Sequence, residues 1–213
     1  MHKGNTEPAY KKRIGYHAGL LAGMALIVSA LLALGNQQTK ADIKLRLEED
    51  MRASLGMVIP HELYDNDLLS DTAIIITNES DEKLVYIARL KDQAIAVAFT
   101  MVEQGYAGPI QIMIGINREG YILGARVISH METPGLGDKI EEKKDDWILN
   151  FDGLSLENPP PERWTVKKDG GMFDQFSGAT ITPRAVVKAI NNGLTLFKDK
   201  IKTEIVMKEI SDK

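Results

Sequence analysis

Thr180 stands at a position where a hydroxyl group and a phosphate group would meet. It ends the run Asp174-Gln-Phe-Ser-Gly-Ala-Thr180, and Thr182 with Pro183 directly afterwards predicts the N-cap and first residue of a helix. The unpaired amides and the dipole of a helix start favour an anion. Small residues ahead of Thr180 let another group approach the backbone closely, and they are Ser177, Gly178 and Ala179.

Arg184 follows in the same predicted helix start and adds a positive charge. The pattern predicts a phosphate site with the Thr180 hydroxyl inside it. A helix terminus contributes only about 0.3–1 kcal/mol at an exposed site, so a covalent phosphoester would hold a dilute cofactor more firmly than these contacts. On the residues alone, an ordinary capped turn remains the alternative.

A second segment follows His130 and contains a Pro-Gly turn closed by another glycine. Such a turn presents backbone amides to a flat ring or a phosphate. The candidate binding residues here are Glu132, Thr133, Pro134, Gly135, Leu136 and Gly137. His130 and Glu132 are also possible metal ligands, but two ligands without a third predict no metal site. An ordinary turn is again the alternative.

Composition excludes several classes of chemistry. The 213 residues include no cysteine, so disulfides, iron–sulfur ligation, thiolate metal sites and cysteine nucleophiles are absent. A net charge of -4 gives no reason to expect nucleic acid as a partner. Apolar and charged fractions of 44% and 26% are those of a globular protein.

A membrane-spanning helix is predicted from Ile14 to Leu34, because this stretch contains no Asp, Glu, Lys or Arg. At about 1.5 Å per residue it spans roughly the 30 Å hydrocarbon core of a bilayer. The positive cluster Lys11-Lys-Arg13 predicts a cytoplasmic N-terminus, with the residues after Leu34 outside. A cleaved signal peptide is the alternative. Gly15, Gly19 and Gly23 indicate either packing against another helix or the ordinary glycine content of such segments.

The rest of the chain predicts an α+β domain that positions these two segments. A charged, helix-prone stretch from Ala41 to Ser54 would continue the membrane helix as a stalk. Short polar links such as Lys91-Asp92 indicate hairpins and a largely antiparallel sheet. Helical segments are expected near Asp138–Asp145 and from Pro183 to about Lys200. The predicted strands are Ala73–Ile76, Leu84–Leu90, Ala94–Val102, Ile110–Ile116 and Tyr121–Ser129.

Nearly the whole chain resembles the G subunit of the Rnf electron transport complex, which carries an FMN-binding domain. The resemblance includes the basic flank and single span. It continues through Ile59–Asn66, Gly105–Gly108, Leu123–Ile140, Trp147–Leu149, Lys168–Gly171 and Asp174–Lys188.

The resemblance implies a covalent cofactor. In this family a separate flavin transferase moves FMN from FAD onto the last residue of an Asp-x-x-(Ser/Thr)-Gly-Ala-(Thr/Ser) sequence, here Thr180. The transferase would recognise Asp174, Ser177, Gly178 and Ala179, and the loop from Glu132 to Gly137 would lie against the flavin. No residue would act as an acid, base or nucleophile in turnover.

The resemblance also implies a function, an organisation and partners. The chain would be a membrane-anchored redox subunit, with little activity alone, of an ion-translocating complex that passes electrons between ferredoxin-type donors and NAD. Residues 1–13 would be cytoplasmic, 14–34 the single span of a bacterial inner membrane, 35–72 a stalk with a helical entry, and 73–213 a periplasmic FMN-binding domain. Membrane and iron–sulfur subunits would be its partners. The alternatives are the C subunit of a sodium-translocating NADH:quinone oxidoreductase and a non-redox assembly subunit.

Overall fold

The computed structural model describes residues 9–78 and 81–207. The chain divides into two compact units, Met1–Glu49 and Asp50–Lys213. The predicted cytoplasmic N-terminus falls partly outside the described residues, since these begin at residue 9. The division into N-terminus, span, stalk and periplasmic domain stays a prediction.

The first helix, α1, runs over Ala9–Val58. The chain contains no proline between Pro8 and Pro60. Because the residue before a proline disfavours the helical conformation, Ile59 is not helical and α1 ends at Val58. Its segment in the first unit exposes large apolar side chains such as Leu26 and Leu32. Among the described residues, this is the helix long and apolar enough to cross a membrane. It therefore fits the predicted membrane anchor.

Five strands form one antiparallel sheet in the second unit, in the order β1-β2-β3-β4-β5. The predicted α+β class with a largely antiparallel sheet is thus confirmed. The strands are β1 Thr72–Asn78, β2 Asp81–Leu90, β3 Gln93–Gln104, β4 Pro109–Asn117 and β5 Ile122–Ser129.

Short turns fix the register of this meander. Lys91 and Asp92 have φ of 52° and 61°, the left-handed conformation that a two-residue hairpin loop requires. Between β4 and β5 the side-chain oxygen of Asn117 accepts the backbone N–H groups of Glu119, Gly120 and Tyr121. Local residue chemistry therefore determines both connections.

Both faces of the sheet are covered. One face packs against the second long helix, α2, which runs over Ile181–Leu196 and buries Val186, Ile190 and Leu194. On the other face lie Leu55 and Val58 from the last turns of α1. Because a strand alternates its side chains between two faces, Val85 faces α2 while Tyr86 faces α1. The sheet is therefore the central layer, and α2 extends along one side of it.

The late helices differ from their predicted bounds. The helix expected from Pro183 begins at Ile181 and continues after Leu196 as a π-helical segment, Phe197–Met207. The helical segment expected near Asp138–Asp145 is not one continuous helix: it consists of a 3₁₀ turn, Asp138–Ile140, and a second 3₁₀ helix, Asp146–Phe151, that follows. Carboxylates of Asp138 and Asp145 accept nearby backbone N–H groups, and such local bonds compete with helix formation. Further 3₁₀ turns are His61–Leu63, Pro161–Arg163 and Lys167–Asp169.

Candidate functional site

A cleft of about 490 Å³ lies where the two candidate segments meet the start of α2. Seven predicted site residues line it: Glu132, Thr133, Leu136, Gly137, Gly178, Ala179 and Thr180. Three further residues complete the lining, namely Tyr106, Ile181 and Thr182. The structure therefore brings together two segments that lie more than forty positions apart in the sequence. Five predicted residues are outside the lining: Pro134, Gly135, Asp174, Ser177 and Arg184.

The loop after β5 is a compact turn stabilised by its own backbone. The N–H groups of Leu136 and Gly137 both donate to the carbonyl of Thr133, at 3.1 and 3.0 Å. Gly135 has a φ of +78°, which L side chains rarely adopt, and its N–H donates to Asp138 Oδ1 at 2.7 Å. The glycine expected from the sequence at this turn is thus required by the backbone.

The segment that leads to Thr180 is held at its beginning and turns sharply before its end. Trp147 Nε1 donates to the carbonyl of Asp174 at 2.9 Å, and the Phe176 ring packs edge-on against Trp147 at 5.2 Å. Ala179 N–H donates to the Phe176 carbonyl at 3.1 Å, which closes a turn through Gly178, whose φ is +82°. Phe176 and Trp147 are buried, and this core contact fixes where the turn begins.

Thr180 itself is the N-cap of α2, and the prediction that Thr182 is the N-cap is wrong. Thr180 has φ -66° and ψ -26°, and its side chain makes no capping hydrogen bond. Its hydroxyl therefore does not cap the helix, and Thr180 lines the cleft. Thr182 lies inside the first turn, fully buried, and donates its hydroxyl to Glu132.

Glu132 is 5% exposed and directs its carboxylate into the protein. Oε1 accepts the N–H of Ala107 at 3.0 Å, and Oε2 accepts the hydroxyl of Thr182. The carboxylate thus bonds to the turn between β3 and β4 and to the first turn of α2. Since both oxygens already have protein partners, Glu132 lines the cleft chiefly as a structural element.

Arg184 and Asp174 each make an ion pair beside the cleft. The guanidinium of Arg184 donates to both carboxylate oxygens of Asp169, at 2.5 and 2.8 Å, and this contact lowers the pKa of Asp169. Lys167 Nζ lies 2.6 Å from Asp174 Oδ1. Both pairs are exposed at the surface, and they link the 3₁₀ turn Lys167–Asp169 to the two ends of the Thr180 segment.

His130 is engaged through both ring nitrogens. Nδ1 accepts the N–H of Glu132 at 3.0 Å, so Nε2 carries the proton of the neutral ring and faces Glu141 Oε1 at 2.8 Å. Within residues 9–78 and 81–207, no group of three or more His, Asp or Glu side chains is arranged to hold a metal ion. The bonds of His130 instead fix the backbone just ahead of Glu132.

Three residues at or beside the cleft are missed by reasoning from single segments. Tyr106 is 71% exposed at the lining, and Ala107 donates its N–H to Glu132. Both lie in the run Gly105–Gly108, which belongs to the family resemblance but has no role assigned by the residue pattern. Thr182 has the pattern of a local cap. The one sequence signal for these residues is Glu132, which needs hydrogen-bond donors if it is buried. Which residues supply those donors follows only from the fold.

Comparison with known proteins identifies the class and then the family. Residues 105–195 match the FMN-binding domain family. The G subunit of the ion-translocating oxidoreductase complex of Cereibacter sphaeroides is 50% identical over 190 residues, covering 89% of this chain and 86% of that protein. The protein of the same name from Stutzerimonas stutzeri is 48% identical over 185 residues, covering 87% and 81%. The chain therefore belongs to the family of G subunits of ion-translocating oxidoreductase complexes.

Among solved structures, the crystal structure of Shewanella oneidensis NqrC is similar to this chain with a TM-score of 0.44 and 22% identity. The similarity covers 61% of this chain and 69% of that one. The family assignment depends on the sequence relatives, which are far more similar.

The cleft fits an FMN group by size and by chemistry. Its volume of about 490 Å³ lies within the range of roughly 300–1,000 Å³ of small-molecule sites. A hydroxyl stands at a helix N-terminus, where orphan N–H groups favour a phosphate. A Cβ on Gly178 would be in ordinary van der Waals contact with Leu136, at 3.7 Å, so the Thr180 segment and the loop after β5 approach each other closely here. Leu136 and Ile181 supply exposed apolar surface for a flat ring.

Proposed function

We propose that this chain carries FMN as a phosphoester on Thr180 and passes electrons within a membrane-bound ion-translocating oxidoreductase complex of the Rnf type. The observation that carries the proposal is Thr180, which is the N-cap of α2, makes no capping bond with its hydroxyl and lines the cleft. Membership of the G-subunit family and the FMN-binding domain match support the cofactor and the kind of complex.

The phosphate would lie at the N-terminus of α2 and the ring in the cleft. Pro183 removes one N–H from the first turn, so Ile181 and Thr182 provide the free backbone donors nearest to Thr180. Leu136 and Gly137 from the loop after β5 would face the ring. When bound, the flavin supplies the redox chemistry, and the protein supplies its position and surroundings.

Covalent attachment is favoured because the visible contacts are weak. A helix terminus contributes about 0.3–1 kcal/mol, and each net hydrogen bond contributes about 1 kcal/mol. Arg184, the nearest cation in the sequence, already pairs with Asp169. Its service to the phosphate as well stays a proposal, and it would require that ion pair to open or to be shared.

The attachment is tested by coexpressing the full chain with a flavin transferase and illuminating a denaturing gel with ultraviolet light. A fluorescent band is expected for the wild type and for Thr180→Ser, which keeps a hydroxyl, and none for Thr180→Ala. Thr195→Ala is the matched control, since Thr195 lies on α2 with its hydroxyl bonded to the Asn191 carbonyl. A fluorescent Thr180→Ala band would refute attachment at this residue, and a dark wild-type band would refute covalent flavin.

A periplasmic location of the FMN-binding domain is part of the proposal. The positive charges before Ile14 support a cytoplasmic N-terminus. Because the chain contains no cysteine, single substitutions give an unambiguous test with a membrane-impermeant maleimide. Glu157→Cys, on the exposed surface of the domain, should react in intact cells, whereas Lys3→Cys should react only after lysis. The reverse pattern would contradict the proposed orientation.

The proposed partners are membrane and iron–sulfur subunits of the same complex, with the flavin transferase acting once during maturation. We expect little activity from the isolated chain, because its electron donors and acceptors are other cofactors. Purification of a tagged chain from its own membranes, followed by mass spectrometry, tests the assignment. Iron–sulfur subunits are expected as companions, and a quinone-reducing set without them would contradict it. An unmodified Thr180 in the purified complex would indicate an assembly subunit instead.

A further inference from the structure

A buried carboxylate lines the same cleft as Thr180. Glu132 is 5% exposed, although glutamate is rarely buried unless it is paired. None of the ion pairs found within residues 9–78 and 81–207 includes it. Its oxygens are bonded only to neutral donors, the N–H of Ala107 and the hydroxyl of Thr182. Burying a carboxylate is costly, and at Glu132 two hydrogen bonds offset that cost.

These two bonds join three segments of the cleft through one side chain. Ala107 belongs to the turn between β3 and β4, Glu132 lies in the loop after β5, and Thr182 lies in the first turn of α2. Thr182 is fully buried and only two residues from Thr180. A contact that spans fifty residues of sequence therefore anchors the first turn of α2 two residues from Thr180.

The packing around this contact leaves little room for movement. A Cβ on Gly105 would lie 2.5 Å from Glu132 Oε1. A Cβ on Gly137 would lie 2.9 Å from Glu132 Cβ and 3.1 Å from Thr182 Oγ1. Gly105 and Gly137 thus leave room for the Glu132 and Thr182 side chains but not for an additional methyl group. Side chains packed in this way retain one rotamer and hold a reacting group accurately.

We propose that Glu132 and Thr182 are positioning residues for flavin transfer, which rests on the proposed attachment at Thr180. In that step Thr180 Oγ1 attacks the phosphorus of the FMN half of FAD. The Oγ1–P bond forms, the bond from that phosphorus to the bridging oxygen breaks, AMP leaves and the hydroxyl proton is released. Neither positioning residue exchanges an atom with FAD. They hold the helix start so that the hydroxyl faces the cleft.

The rate of transfer distinguishes positioning from mere stability. Loss of orientation lowers kcat, and a displacement of about 1 Å can cost roughly a hundred-fold. Partial unfolding instead reduces the concentration of competent acceptor, which raises the apparent KM for the chain and leaves kcat unchanged. Asp174 and Ser177, which are exposed and outside this contact, would still be presented to the transferase. We therefore expect the effect of breaking the contact to fall on kcat.

The experiment measures AMP release from FAD with a flavin transferase and the full chain in detergent, over a range of chain concentrations. Thr182→Val keeps the side-chain shape but removes the donor, and it should lower kcat by about ten- to a hundred-fold. Thr182→Ser restores a hydroxyl and should recover most of kcat. Thr195→Val, an exposed change on the same helix, should match the wild type. Glu132→Met removes the acceptor from the other side and should resemble Thr182→Val.

The outcomes separate this inference from the proposed function. An unchanged kcat in Thr182→Val and Glu132→Met, or a rise in apparent KM alone, overturns the positioning role while attachment stands. Equal losses in Thr182→Ser and Thr182→Val also overturn it, because serine keeps the donor. If Thr182→Val does not fold, the kcat of Glu132→Met decides. Failure of the wild type to accept flavin, by contrast, refutes attachment itself.

Discussion

Gly137→Ala tests whether the space around the buried pair is as restricted as the structure indicates. Gly137 has a φ of -91°, so an alanine there incurs no backbone strain. Its Cβ would lie 2.9 Å from Glu132 Cβ, 3.0 Å from Glu132 Oε2 and 3.1 Å from Thr182 Oγ1. Both neighbours are buried and hydrogen-bonded to each other, so neither can swing away without breaking that bond.

The magnitude follows from this crowding. Inserting a methyl group into a packed site costs about 1–3 kcal/mol. For a domain of this size each kcal/mol lowers Tm by roughly 2–4 °C, so a decrease of about 2–12 °C is expected. Thermal unfolding of the full chain in detergent can be followed by tryptophan fluorescence, since Trp147 and Trp164 both lie in the core beside the cleft segments.

Gly153→Ala is the matched control. Gly153 has a φ of +78° and open space where its Cβ would stand, so an alanine there costs about 1–2 kcal/mol by backbone strain without crowding the cleft. Both variants should lose stability, but only Gly137→Ala should slow flavin attachment to the folded chain. A Gly137→Ala protein that melts and accepts flavin like the wild type would refute the reasoning.

Three further predictions address other parts of the domain. Hydrogen bonds from Arg52 lower the pKa of Asp67 to about 2. The stability that the ionised carboxylate contributes is therefore present above about pH 4 and lost towards pH 2. The free energy of unfolding of Asp67→Asn in urea should differ from that of the wild type at pH 7 and converge with it in acid, and parallel pH profiles would contradict this. Leu55→Ala should lower the free energy of unfolding by about 2–5 kcal/mol in the same assay, because the Leu55 side chain of α1 packs against the sheet and is 1% exposed. A loss of stability no larger than that of a surface change would argue against this packing. Gly178→Ala should lower the free energy of unfolding by about 1–2 kcal/mol because Gly178 has a φ of +82°. Gly178→Asn should be closer to the wild type, since asparagine adopts this conformation more readily than alanine. Equal losses of stability would point to crowding and not to backbone strain.

Much of the fold can be predicted because its signals are local. All five strands are expected near their observed places, since runs of Ile and Val between short polar links specify them. Lys91-Asp92 indicates a hairpin, and its two positive φ values are those of such a turn. Where polar side chains near Asp138 and Asp145 bond to the backbone, helix content is overestimated, because such bonds do not alter the residue pattern from which a helix is inferred.

The helix start illustrates a limit of local reasoning. Thr182 before Pro183 has the sequence of an N-cap, yet its hydroxyl donates to Glu132 and the helix begins at Ile181. A buried carboxylate is a stronger partner for a hydroxyl than a backbone amide that water can otherwise satisfy. Tertiary contact therefore overrides the local preference here, and it leaves Thr180 as the residue at the helix terminus.

The sequence by itself predicted a phosphate-favouring helix start around Thr180, the antiparallel sheet and the apolar helix at the N-terminus, because these depend on residue type and on spacing within a few positions. The choice of Thr180 as the attachment residue came from the family resemblance. Only the tertiary structure decided that the Gly105–Gly108 turn, the Glu132 loop and the start of α2 meet around one cleft. Contacts between positions fifty residues apart arise from the packing of the whole sheet and helix, so no short pattern in the sequence encodes them.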